Sequence, residues 1–509
     1  MLFPQLFEQS VARTPERPAI VHLNGDETLT YAELQTQAYA VANELHERGI
    51  EPGDRVAICM ANHPEHVVTF IGTQLAGVVA VPFNFRVAAG GVRYHLADSD
   101  PELFFFDSIS RDSVERIADE IDVDSVYVGD ETPEFAESFE SFSDSAPERP
   151  DVSIGHDDPS VMLYSSGTTG DPKGIPIDHE ATVDRWIINS LGQRYYLEET
   201  LIGVMPLYHT VGLHGILCGL LSMSGTYLCM SQFDPEIAVR AIEEHRVTAL
   251  HEAPTIFANM LDSEAIEDTD LSSVRAIGYS GAPMSQSIFD RTIETFEPEH
   301  IANLYGTTEV YGTLAYLDLH EIDDPTVTGP ANVGIETRVV EVNADSPDDR
   351  VAPGEQGELI VNTDSSVSFE GYWNKPEATA EAIRDGWFYT GDAARLTEEN
   401  RIVITGRVDD MIISGGENIH PTEVEDVLLT HPAVSDVGVV GHADDEWGSI
   451  VVAFVERSGD VTAEELDQWC RDSDELADYK RPREYRFIDE LPRNPSGKIE
   501  RYKLEADDS

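Results

Sequence analysis

Basic residues are scarce in this chain: 33 lysines and arginines stand against 96 aspartates and glutamates, a formal net charge of −63 over 509 residues. That scarcity argues against duplex nucleic acid as a ligand, because gripping phosphate backbones takes clustered Lys and Arg. The acidic excess runs along the whole chain, so it reads as a solvated surface suited to a salty cytoplasm. At low ionic strength such charge repels itself and opposes compaction, whereas a Debye length of roughly 3 Å at 1 M salt screens most of it. Cysteine is equally sparse. Cys59, Cys218, Cys229 and Cys470 lie far apart in no metal-ligand spacing, which implies buried, reduced thiols. No run approaches the roughly 18 apolar residues of a membrane-spanning helix. The N-terminus, MLFPQLFEQSVARTPERP, has no cationic start leading into an apolar stretch, so no secretory signal is read there. The expectation is a soluble cytoplasmic protein.

The length allows several domains. Thr30 to Glu33 reads T-x-x-E, a helix-capping box, with Leu34, Ala38, Ala42 and Leu45 following on one helical face. Arg55–Met60 reads as a strand, 63–75 as a helix and Val78–Val81 as a strand. The alternation recurs, with strands at Val247–Leu250 and Val274–Ile277 and a helix starting near Pro254. Strand–helix alternation predicts an α/β fold of layered, mostly parallel sheets, with ligands held beyond the strands' carboxyl ends. The acidic, Ser- and Pro-rich stretch at 130–159 reads as a surface loop. Around Gly406-Arg407-Val408-Asp409-Asp410 the pattern breaks between two strands. It restarts as a compact mixed unit with a helix at Pro421–Leu429 and strands at Val437–Val440 and Ser449–Val455. The expected division is a large domain over 1–407 and a small mobile α+β domain over 408–509.

Tyr164-Ser165-Ser166-Gly167-Thr168-Thr169-Gly170-Asp171-Pro172-Lys173-Gly174 is the stretch richest in chemistry. Glycines let the backbone approach an anion closely, N–H groups and hydroxyls donate to phosphate oxygens, and Lys173 adds a mobile positive charge. A P-loop is excluded by spacing, since no G-x-x-x-x-G-K-[ST] occurs.

This segment resembles the phosphate loop of the adenylate-forming enzymes, the group of acyl- and aryl-CoA synthetases, luciferases and peptide-synthetase adenylation domains. Further motifs follow in that family's order along nearly the whole chain. By resemblance, in Asn303-Leu304-Tyr305-Gly306-Thr307-Thr308-Glu309, Thr308 contacts the α-phosphate and Glu309 holds Mg²⁺, a hard cation that favours carboxylate oxygen. Tyr389-Thr390-Gly391-Asp392 matches the motif whose aspartate accepts from the ribose hydroxyls. Tyr279-Ser280-Gly281-Ala282-Pro283 matches the loop lining the adenine and acyl pocket. Arg407 matches a position near the ribose, Asp409 the hinge, and Gly415 and Gly416 the glycines beside the pantetheine tunnel. Lys498, in Pro495-Ser496-Gly497-Lys498, matches the lysine that bridges substrate carboxylate and α-phosphate while negative charge moves between them. The implied reaction joins a carboxylic acid to CoA through an acyl-adenylate, with ATP, Mg²⁺ and coenzyme A as the small-molecule partners.

The resemblance is greatest to chlorobenzoate–CoA ligase-type enzymes, through Met205-Pro206-Leu207-Tyr208-His209, Val211-Gly212, Gly406–Pro421 and the run 475–482. It implies that His209 closes the carboxylate end of the acyl pocket and that His251, Tyr279, Gly281, Val310 and Tyr311 wall it. Such walls suit a flat aryl acid. His251 and Glu252 are more polar than is usual in that group, which makes a polar or hydroxylated ring conceivable. Medium-chain or branched aliphatic acids are the alternative. Trp447, Tyr479, Arg481 and Arg483 match positions that hold the CoA nucleotide, where rings stack on adenine and Arg pairs with phosphate. No carrier domain follows in the sequence, so free CoA is the expected acceptor; a separate carrier protein and a homodimer are left open.

Overall fold

The computed structural model describes the chain except residues 26, 166–170, 283, 312–314, 319–323, 415–416, 445–446, 474–475, 494–498 and 506–509, and except the side chains of 315–318, 413, 417–418 and 448. Contacts group it into two compact units, residues 1–336 with 362–386 and residues 337–361 with 387–509. The division expected at residue 408 thus falls inside the second unit. The reason is a shared sheet: strands Trp387–Leu396 and Ile402–Arg407 join Thr337–Val340 and Gln356–Asn362 upstream of that point.

The first unit holds two large sheets. One runs in the order Ala315–Asp318, His300–Tyr305, Ala276–Ser280, Ala249–Glu252, Thr200–Gly203, Thr226–Cys229, Pro18–His22 and Thr28–Thr30. Its interior pairs are parallel and its two edge strands antiparallel. The other runs Glu137–Ser138, Ser125–Val128, Leu103–Asp107, Arg55–Cys59, Val79–Pro82, Pro159–Ser165 and Lys173–Asp178, antiparallel only at the last pair. Interior strands covered on both faces become continuous apolar runs, as in Leu103-Phe104-Phe105-Phe106, all fully or nearly fully buried.

Local signals account for much of this. The Thr30 hydroxyl accepts from Glu33 N at 3.3 Å and the Glu33 carboxylate accepts from Thr30 N at 2.8 Å. That reciprocal cap starts the helix Tyr31–Glu47, which buries Leu34, Ala38, Ala42 and Leu45. The 130–159 stretch is loop for most of its length, as its composition suggests. It also forms the edge strand Glu137–Ser138 and a turn of helix, Phe139–Phe142, pinned by burial of Phe139 and Phe142 against Phe105.

In the second unit, Val434–Asp444 and Gly448–Arg457 pair antiparallel, and Glu484–Ile488 adds to the latter in parallel. The helices Pro421–Leu429 and Ala463–Asp472 share a core with this sheet through Val424, Leu428, Val439, Leu466 and Cys470. All four cysteines are buried and unbridged.

Candidate active site

Strands carry the candidate groups of the first unit to their carboxyl ends. Pro159–Ser165 and Lys173–Asp178 pair antiparallel, with Ser165 opposite Lys173 at the end of the ladder. Ser166, Gly167, Thr168, Thr169 and Gly170 lie outside the described residues. Lys173 Nζ sits 4.8 Å from the centroid of the Tyr372 ring. The Tyr372 hydroxyl donates to Glu309 Oε1 at 2.9 Å. Tyr372 therefore links Lys173, the candidate phosphate-binding lysine, to the candidate metal carboxylate, a role that no sequence motif announced.

Glu309 is presented by a turn. Beyond Tyr305 and Gly306, at the end of the strand His300–Tyr305, Thr307 Oγ1 accepts from Val310 N at 3.0 Å, which sets Thr308 and Glu309 at the bend. Phe369 N donates to the Glu309 carbonyl at 2.9 Å and fixes its backbone. A carboxylate of two oxygens, one holding a tyrosine hydroxyl, suits a hard divalent cation.

The expected acyl wall is brought together only in part. Parallel register sets His251 beside Gly278 and Glu252 beside Tyr279, so alternation sends His251 and Tyr279 to opposite faces of the sheet. Tyr279 packs against Phe289 in the core and its hydroxyl donates to the Pro325 carbonyl at 2.7 Å. It therefore shares no wall with His251. His251 Nε2 lies 3.3 Å from Ser280 Oγ, and burial pushes its pKa down to about 3, so the ring is neutral. Burial drives the Glu252 carboxyl well above its usual range, and it keeps Oε2 without a partner. Val310 and Tyr311 are buried, and Tyr311 donates to Asn189 Oδ1 at 3.3 Å. Gly281 and Ala282 are exposed just past the strand, with Gly281 at φ +86°; Pro283 lies outside the described residues. His209 is half-buried with its ring centroid 4.4 Å from that of Tyr208, just ahead of a π-helix over Val211–Cys218. Such wide turns cluster at functional sites.

In the second unit Asp392 and Arg407 face one another across paired strands, and Arg407 Nη1 donates to Asp392 Oδ1 at 2.8 Å and to the Thr390 carbonyl at 2.9 Å. Gly391, at φ +69°, makes this possible, since a Cβ there would meet Arg407 Nη2 at 2.7 Å. Asp409 is exposed on the turn that follows. Gly415, Gly416 and Lys498 lie outside the described residues.

The candidate CoA cluster divides. Arg483 holds its guanidinium 5.5 Å from the Trp447 ring centroid, and Trp447 and Tyr479 are each 44% exposed. Arg481 instead pairs with Asp467 and, at 2.9 Å, with Asp478. Its charge is already satisfied, as is that of Lys480 by Glu423. The pairs with Asp467 and Glu423 are invisible in a basic run, because those partners lie elsewhere in the chain.

Residues 7–373 match the family described as AMP-binding enzyme, and residues 423–498 match its C-terminal domain. The 4-chlorobenzoate–CoA ligase of an Arthrobacter species is 35% identical over 98% of this chain and 94% of that protein. The feruloyl-CoA synthase of an Amycolatopsis species is 32% identical over 96% and 95%. Among solved structures, ATP-bound MatB from Rhodopseudomonas palustris superposes with a TM-score of 0.87 at 27% identity, covering 99% of both chains.

Proposed function

The chain belongs to the AMP-binding, adenylate-forming family and is an AMP-forming acid–CoA ligase using ATP, Mg²⁺ and CoA, and from that premise we propose that its acid is a benzoate-like aryl carboxylate. The reading of the acid rests above all on likeness to an aryl-CoA ligase along 98% of the chain.

A carboxylate is a poor electrophile because oxide is a poor leaving group. In the proposed first step its oxygen attacks the α-phosphorus of ATP and pyrophosphate leaves, giving the acyl-adenylate. In the second, the thiol of free CoA attacks the carbonyl, a proton is lost and AMP leaves, giving the thioester. Ser165, Ser166, Gly167, Thr168, Thr169, Gly170 and Lys173 are assigned to the phosphates, Thr308 to the α-phosphate and Glu309 to Mg²⁺. Asp392 is assigned to the ribose, with Arg407 holding its carboxylate in place. Lys498 is assigned to the charge passing between carboxylate and α-phosphate, where removing a single such donor costs ~10²–10³ in rate. His209 and His251 are assigned to the acyl pocket, Trp447, Tyr479 and Arg483 to the CoA nucleotide, and Asp409 to the hinge between the two steps. We assign Arg481 to structure rather than to CoA, since two carboxylates already hold it. The charge of −63 further implies that activity falls below molar salt.

The test is CoA-dependent AMP release in molar KCl across benzoates and short- to long-chain fatty acids, with Lys498→Ala beside the natural chain. Turnover concentrated on benzoates and lost in the variant supports the reading. Turnover concentrated on fatty acids overturns the aryl assignment, and full activity in dilute buffer overturns the salt requirement.

A further inference from the structure

Arg185 is the only Lys or Arg among the described residues that is fully buried, and no described carboxylate forms an ion pair with it, although the charges of Asp178 and Glu309 reach it. It sits on the helix His179–Gly192. Its Nη2 donates to the Val367 carbonyl at 3.0 Å and to the Glu309 carbonyl at 3.4 Å, whereas Nε and Nη1 have no partner. A guanidinium keeps its charge at neutral pH. An isolated buried cation is costly, and one left with two idle donor nitrogens calls for an anion from outside.

Its neighbours point the same way. His214, fully buried in the π-helix Val211–Cys218, pairs Nδ1 with Thr210 Oγ1 at 3.0 Å and leaves Nε2 unpartnered. Burial and then the Arg185 charge hold His214 neutral. The Tyr311 ring centroid lies 6.3 Å from that of His214, and its hydroxyl donates to Asn189, one helical turn beyond Arg185. Gly215 makes room for that hydroxyl, which a Cβ would approach to 2.2 Å. This cluster adjoins the turn that bears Glu309, because Arg185 reaches the backbone carbonyl of the residue whose carboxylate Tyr372 holds.

We propose that Arg185, with His214 beside it, forms an anion-accepting end to the acyl pocket, so that the preferred acid carries a second carboxylate besides the one it activates. The proposal deepens the aryl-acid reading and rests on it. A guanidinium offers its N–H groups as a planar fork that matches a carboxylate in two parallel hydrogen bonds, which a methyl or a halogen in the same place cannot use.

The experiment compares kcat/KM for the three benzenedicarboxylates with that for the matching methylbenzoates, using CoA-dependent AMP release by the full chain. At least one dicarboxylate is expected to exceed its methyl counterpart by roughly 10²-fold, the effect of two charge-assisted hydrogen bonds. Arg185→Met is expected to erase that ratio, mainly through KM. Methylbenzoates turned over as well as or better than every dicarboxylate would overturn the proposal and leave the aryl-ligase reading standing; no AMP from any acid would overturn both. Equal losses on both acids in Arg185→Met would mark Arg185 as structural and also sink the idea. Should the variant fail to fold, the melting temperature of the natural chain decides. A dicarboxylate must raise it more than its methyl counterpart does, and equal shifts count against the proposal.

Discussion

The proposed nucleotide side and the proposed acyl side of this enzyme differ in how they handle buried charge. Around Asp392 the carboxylate is bonded to a cation of the fold: Arg407 donates to it, while the Gly391 amide donates to Glu358 at 3.0 Å and Asp392 N donates to Thr390 Oγ1 at 3.0 Å. Around His251, Glu252, Arg185 and His214 each residue keeps at least one buried polar atom without a partner. A prepaired site binds by adding to bonds that exist, so its residues hold their geometry before the ligand arrives. A site with idle donors is completed by its ligand, and it discriminates through what a wrong ligand leaves unpaired.

Breaking the prepaired side is expected to have the largest effect. Asp392→Ala removes the proposed ribose acceptor and strands Arg407, so kcat/KM for ATP is expected to fall roughly 10²-fold, against a much smaller change in KM for the acid. On the idle side, Glu252→Gln tests the buried carboxyl. Its folded pKa is raised by burial, so its contribution to stability is complete below the ordinary carboxylate range and is lost as pH rises toward the folded value. The glutamine variant should therefore gain on the natural chain with rising pH above about 4.5, by at most ~1.4 kcal/mol per pH unit, as read by denaturant unfolding at pH 5, 6 and 7. A gap that stays constant with pH would mean Glu252 is ionised in the fold.

Two smaller effects sharpen the contrast. Gly391→Ala puts a side chain at φ +69° and against Arg407, which should cost about 1–2 kcal/mol of stability and raise KM for ATP. Tyr372→Phe keeps the ring near Lys173 and loses the bond to Glu309. AMP release at limiting Mg²⁺ should fall a few-fold, with recovery at high Mg²⁺, in keeping with one hydrogen bond of about 1 kcal/mol.

What could be read from the sequence followed the range of the interaction. The Thr30–Glu33 box and the face of Leu34, Ala38, Ala42 and Leu45 depend on residues within a few turns, and both stand in the fold as expected. Helix Pro421–Leu429 also lies at the expected residues. The motif from Tyr305 to Glu309 is readable by resemblance alone, and it lies within the residues that match the AMP-binding family. The side of the sheet to which Tyr279 points depends on its register with Ala249–Glu252, and a pocket wall assigned residue by residue could not anticipate it. The stretch 130–159 is loop for most of its length, as its composition suggests, and the one helical turn in it forms because Phe139 and Phe142 are buried against Phe105. Arg185 escaped notice for a different reason. Its meaning lies in the partners it lacks, and no local pattern records a missing counter-ion.

The four buried cysteines give the fold a built-in clock. Burial raises the pKa of Cys59, Cys218, Cys229 and Cys470, and thiolate is the reactive form, so an alkylating reagent meets inert sulfur in the folded chain. The four report from different places: a strand of each large sheet, the π-helix near His209, and the helix Ala463–Asp472. The order in which they become labelled would trace which part of the enzyme opens first as salt is withdrawn.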